Sequence, residues 1–183
     1  MINTRQELTE FLKEDLKYYS SINNKYRFID FLTKDNKSIL KKYIIILRKS
    51  EYWYNKGSNI CRIIYLYYRR RKNIIGRKIG IEIWENTFDK GLCIFHPGTI
   101  VINGNARIGK NCKLHGDNCI GNDGKSEDAP VIGDNVTIGV GAKVIGNINI
   151  ADEIKIGAGA IVVDSFLEKG ITIVGVPAKK VNS

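Results

Sequence analysis

The sequence is poor in several residues on which catalytic and structural chemistry often rests. Its 183 residues include two histidines, three prolines, two tryptophans and one methionine. The four cysteines (Cys61, Cys93, Cys112 and Cys119) form no C-x-x-C pair, and the two histidines form no H-x3–5-H pair. That excludes the common zinc arrangements, and no metal is expected. Free thiols and a polar Met1–Glu10, without the apolar core of a secretory signal, point to the cytoplasm. No apolar run approaches the roughly 20 residues that span a bilayer. No G-x-S-x-G motif is present, so nothing marks a covalent serine nucleophile.

Two further scarcities divide the chain. Residues 1–80 hold 3 glycines against 15 in the rest, and 7 Asp+Glu against 19 Lys+Arg, a net charge of +12. Residues 81–183 hold 12 Asp+Glu and 10 Lys+Arg, a net charge of −2. A basic α-helical region over 1–76 and a glycine-rich domain over 77–183 are therefore expected, with the boundary near Asn73–Gly80.

What the second part has is a six-residue period. Aliphatic residues stand at Ile102, Ile108, Leu114, Ile120, Ile132, Ile138, Val144, Ile150, Ile156 and Val162, and only Ser126 breaks the series. Glycine follows the aliphatic at Gly109, Gly121, Gly133, Gly139 and Gly157. Four residues after it comes a small or apolar residue such as Ala106, Cys112, Val136, Ala142 or Ala160, with Asn118 the exception. Neither a helix at 3.6 residues per turn nor a strand at 2 has this period. It predicts a β-solenoid in which three short strands make one coil and each aliphatic stacks on the one a coil later. A sandwich with Gly-rich turns would not hold a fixed six-residue phase. The polar run Gly121–Val131 is expected to bulge outward as a loop.

The first part reads as helices. Thr4 and Glu7 form a capping box before the apolar face Leu8, Phe11, Leu12 and Leu16. Further helices are expected at Tyr26–Leu32, at Ser38–Tyr54 and at Ser58–Lys72, the last stopped by Asn73 and Gly76. Ile79, Ile81 and Ile83 then alternate as a strand. Arg69-Arg70-Arg71-Lys72 is read as a solvated helix end, with an anionic membrane surface as the other reading and no nucleic acid expected.

Together, the repeats, the Gly91-x4-His96-x4-Val101 segment and the ending Gly175-Val-Pro-Ala-Lys179 resemble the left-handed β-helix acyltransferases, and among them the serine acetyltransferases. The resemblance covers about residues 77–181. It implies a left-handed parallel β-helix, acetyl-CoA as acyl donor, and a homotrimer with sites between subunits, with the N-terminal helices able to join two trimers. It places a general base at His96. A hydroxyl has a pKa far above neutrality, so an imidazole that takes its proton during attack speeds transfer by about 10² to 10⁴. Six residues before Ile102, however, strict phase would turn His96 into the coil axis. A carboxylate commonly fixes the tautomer of such a base. Ungapped counting puts Ile81 at the family's carboxylate, and Glu82 serves only if its strand slips. CoA is expected at Gly121, Ala142, Ala160 and Lys179, with Lys125 and Lys180 as further phosphate partners, and the acceptor at Phe95 and His115.

Two departures bear on the acceptor. The family carries Asp before the histidine, where this chain has Phe95, and Arg-His before the loop proline, where it has Asp128-Ala129-Pro130. Asp128 would repel a carboxylate. Related enzymes of surface polysaccharide synthesis share a short basic N-terminus and a His-x-x-x-Ile-Val-Ile-Asn pattern that His96–Asn103 approaches. The expected function is thus acetyl-CoA-dependent O-acetylation of a sugar hydroxyl in capsular or exopolysaccharide biosynthesis. The alternatives are serine O-acetylation in cysteine biosynthesis and, from another class, a non-catalytic solenoid scaffold. The basic helices are expected to serve assembly, acceptor docking or peripheral membrane contact more than the folding of the coil.

Overall fold

A computed structural model describes residues 1–19 and 35–181. The helix expected at Tyr26–Leu32 lies outside the described residues. Helix α1 (Arg5–Leu16) opens on the Thr4/Glu7 capping box and ends in a short 3₁₀ turn, Lys17–Tyr19. Helix α2 (Asn36–Asn55) buries Leu40, Tyr43, Ile44, Ile46 and Leu47.

Helix α3 (Asn59–Ile79) runs well past the expected stop at Asn73 and Gly76. Gly76 is a packing site instead: a Cβ there would lie 2.3 Å from the Ile81 carbonyl oxygen. The stop is Gly80, left-handed at φ 74, whose N–H donates to the Gly76 carbonyl. Ile79 thus ends the helix rather than starting a strand.

The rest is a left-handed parallel β-helix of three sheets. The first sheet stacks β1 (Ile81–Ile83), β3 (Ile100–Ile102), β6 (Cys119–Gly121), β9 (Lys143–Ile145) and β12 (Ile161–Val162). The second stacks β4 (Arg107–Ile108), β7 (Val131–Ile132) and β10 (Asn149–Ile150). The third stacks β2 (Cys93–Ile94), β5 (Lys113–Leu114), β8 (Thr137–Ile138), β11 (Lys155–Ile156), β13 (Thr172–Gly175) and β14 (Ala178–Lys180). The aliphatics of the six-residue series point inward and are all buried. Ile102 pairs with Ile120 and Ile138 with Ile156, one coil apart. Ile120 pairs with Val144, 24 residues on rather than 18, because the polar run leaves the coil as a loop and Ala129 and Pro130 return it buried and in phase. Asn118 is tolerated in an inward slot because its amide is fully used: Oδ1 accepts from the Gly116 N–H at 3.0 Å and Nδ2 donates to the Gly139 carbonyl at 2.7 Å. The tail is an antiparallel hairpin of β13 and β14.

The helices and the coil share one core. Leu40, Tyr43, Leu47, Ile75 and Ile79 pack in the same apolar cluster as Ile81, Ile83 and Leu92. Polar groups complete the joint. Arg48 is fully buried; it binds Asp15 at 2.7 Å and Glu51 at 2.9 Å, and donates to the carbonyls of Phe88 and Asp89. Asp15 Oδ1 accepts from the N–H groups of Gly91 and Leu92 at 2.6 and 2.9 Å. Tyr19 Oη donates to the Ile94 carbonyl and accepts from the Ile94 N–H, both at 2.7 Å. Burial pushes that phenol well above its ordinary range and keeps it a donor. Strand β2 has no coil beneath it, so these side chains satisfy the groups that a further strand would pair. The helices therefore pack directly on the first coil.

Candidate functional site

His96 is exposed, not axial. Ile94 pairs with Leu114 and Ile102 with Ile120, so eight residues separate Ile94 from Ile102 where six separate Leu114 from Ile120. The two extra residues enlarge the turn His96-Pro97-Gly98-Thr99, and the axial slot goes to Ile94. The turn is pinned on both sides. Gly98 N–H donates to the Ile79 carbonyl at 3.0 Å, Ile100 N–H to the Gly80 carbonyl at 2.8 Å, and Thr99 N–H to Asp117 Oδ1 at 2.9 Å. Gly98 has φ 153, and a Cβ on it would meet Asp117 Oδ1 at 2.7 Å, so only glycine closes this turn. Phe95 and His115 stack with ring centroids 4.5 Å apart, beside His96 and on the neighbouring coil. The three residues the sequence named as base and acceptor contacts therefore sit together.

Register places the corners of successive coils above that turn. They read His115-Gly116-Asp117, then Gly139-Val140-Gly141, then Gly157-Ala158-Gly159. Beyond His115 the corners are rich in glycine, with Val140 and Ala158 exposed between them, and a side chain at Gly159 would meet nothing within 4 Å. Ala142 and Ala160, expected where small side chains let the pantetheine arm lie against the backbone, are buried in inward slots of the coil. The glycines beside them hold the surface. The same inward slots that made the alanines visible in the repeat also hide them. Lys179 is exposed on the tail hairpin, 3.8 Å from Asp164, and Lys180 pairs with Glu168 at 2.6 Å.

Glu82 and Gly121 lie elsewhere, in a cleft of ≈ 1510 Å³ between the helices and the first coils that Tyr65, Arg69, Trp84 and Asn103 also line. Arg69 lies 5.3 Å from the Trp84 ring centroid. Five residues separate Ile83 from Phe88 where six separate Ile102 from Ile108, so the turn after β1 is one residue short. Glu82 faces out opposite Val101, between the buried Ile81 and Ile83. Among the described residues no hydrogen bond or ion pair joins Glu82 to His96. Arg69, Trp84 and Asn103 escaped the sequence reading because a helix, a turn and a coil strand supply them separately. The only signal was Trp84 itself, a large aromatic where the repeat has yet to start. The loop of Asp128 is tied to its own coil: Asn147 Nδ2 donates to Asp128 Oδ2 at 3.0 Å and Asn105 Nδ2 to the Glu127 carbonyl at 2.8 Å.

No family model matches the chain. It is 34% identical over 131 residues to the serine acetyltransferase of Helicobacter pylori, covering 66% of this chain and 76% of that protein. It is 36% identical over 121 residues to that of Staphylococcus xylosus and 31% over 129 to that of Synechococcus elongatus, covering 60% and 64% of this chain. The chain spans about half the length of those two relatives, 56% and 52%. The crystal structure of Neisseria gonorrhoeae serine acetyltransferase superposes with a TM-score of 0.70 at 26% identity, over 98% of this chain and 68% of that one. The soybean apoenzyme superposes with 0.73 at 24% identity, over 96% and 69%, which supports the fold. With three quarters of the Helicobacter protein matched at 34% identity, the chain belongs to the serine acetyltransferase family.

Proposed function

We propose that this protein is an acetyl-CoA-dependent O-acetyltransferase with His96 as general base. The observation that carries the reading is the exposed imidazole of His96, held on a pinned turn at the foot of a glycine-rich strip of corners. Extended pantetheine fits along such a strip, and its thioester would then lie beside the imidazole. His96 takes the proton of the acceptor hydroxyl as the oxygen bonds the acetyl carbon. The carbon–sulfur bond breaks, and the proton passes from His96 to the departing sulfur. Lys179 stands on the tail as a phosphate partner for CoA, and Phe95 and His115 form an aromatic wall for the acceptor.

Among the described residues, His96 does not line the Glu82 cleft, and that cleft holds carboxylates but no histidine. A homotrimer that sets the Glu82 cleft of one subunit against the His96 turn of the next completes both, and makes Glu82 the carboxylate that orients the ring. The relatives named serine acetyltransferases support serine as the acceptor. A sugar hydroxyl is the second reading; it is favoured by the acidic Glu127 and Asp128 in the loop, where an acceptor carboxylate would be repelled.

Thiol release from acetyl-CoA by the purified protein tests these readings. L-serine is expected to stimulate it, and His96→Ala to lower kcat by about 10² to 10⁴. Stimulation by sugars with serine inert would select the second acceptor. Full activity in His96→Ala would remove the imidazole from the reaction. Glu82→Gln is expected to lower kcat and displace the acid limb of the pH–rate profile, a displacement that a purely structural role would not produce.

A further inference from the structure

Helix α3 buries one face, with Tyr65, Lys72, Ile75, Gly76 and Ile79, and leaves the opposite face to solvent. Ile60, Ile63, Leu66 and Tyr67 on that outer face are 74%, 71%, 54% and 57% exposed. Their spacing of three and four residues sets them in one stripe. The next turns of the same face carry Arg70, Arg71, Arg77 and Lys78, all exposed, and Arg62 flanks the stripe. From Asn59 to Ile79 the helix contains no acidic residue. The inward cations are already engaged: Lys72 pairs with Glu85 at 2.7 Å, and Arg69 lies over Trp84. The outer arginines face no carboxylate among the described residues.

We propose that this face docks the protein peripherally on an anionic lipid bilayer. Exposed aliphatic groups beside a one-signed cationic cluster match the layered chemistry of such a surface. The stripe enters the boundary between headgroups and acyl chains, and the arginines meet lipid phosphates. A second copy of the same face is a poor occupant, because it would oppose cation to cation with no acid to relieve it. The helix is too polar to cross: no helix among the described residues is long and apolar enough to span a membrane.

The test is co-sedimentation of the full chain with vesicles of phosphatidylcholine, with and without phosphatidylglycerol. Binding is expected only with phosphatidylglycerol, and added salt should weaken it. Arg70→Glu with Arg71→Glu should weaken binding by roughly tenfold or more, and Ile63→Asp should abolish it. These side chains are exposed, so circular dichroism should show both variants folded. Absence of vesicle binding, or binding to neutral vesicles that salt leaves unchanged, would overturn the proposal. So would an Ile63→Asp variant that loses oligomeric mass by sedimentation while still binding vesicles, since a second copy would then cover the face. Thiol release without vesicles reads the acetyltransferase proposal separately.

Discussion

Between Ile132 and Val162 the coil repeats without irregularity, and each buried aliphatic sits on its partner one coil away. Between Ile83 and Ile102 the same coil is one residue short at one corner and two residues long at another. The regular end is held by apolar stacking and parallel ladders. The irregular end is held from outside by Arg48, Asp15, Tyr19 and Tyr43, which satisfy backbone groups that a neighbouring coil would otherwise pair. The candidate base stands at the irregular end. A strict repeat turns every sixth side chain inward, so a departure from it is what brings His96 to the surface.

Four measurements would sharpen or break this contrast. Arg48→Ala leaves Asp15 and Glu51 buried without their cation and should cost about 3–5 kcal/mol in urea unfolding. Ile138→Ala, in the regular end, should cost about 2–5 kcal/mol through the cavity alone. If Arg48→Ala were nearly neutral, the helices would not be clamping the first coil. Gly80→Ala should cost about 1–3 kcal/mol, since its φ of 74 is left-handed and a Cβ would lie 2.6 Å from the Gly98 carbonyl oxygen. It should also lower kcat, because Gly98 belongs to the His96 turn; a stable variant with unchanged kcat would detach that turn from the helix end.

The smallest effect concerns thiols at the joint. Burial pushes Cys93 up to about 11 and Cys112 up to about 12, so both stay protonated at neutral pH. Native protein should expose only Cys61 and Cys119 to a disulfide reagent at first, with the other two reacting on unfolding. Early modification of Cys93 would show the clamped end opening more readily than the hydrogen bonds imply.

Local periodicity made much of this legible. The buried slots from Ile102 to Val162, the outward loop that interrupts them and the capping box at Thr4 all follow from the order of residues. Each rests on contacts that the repeat or a single helical turn defines. The helix end was misplaced because two glycines compete for it, and only Tyr43 and Ile81 packed against Gly76 show that it is an interior position. Ala142 and Ala160 fill inward slots, and in one dimension a small residue there looks like one beside a groove.

By itself the sequence determined a stacked coil with a basic helical region before it, because a six-residue aliphatic period with glycine after half of its members admits little else. Only the tertiary structure decided which way His96 faces, where α3 stops, and that the helices and the coil share a core. Those outcomes depend on contacts between segments tens of residues apart, such as Asp15 with Gly91 and Ile79 with Gly98, whose register no local pattern records.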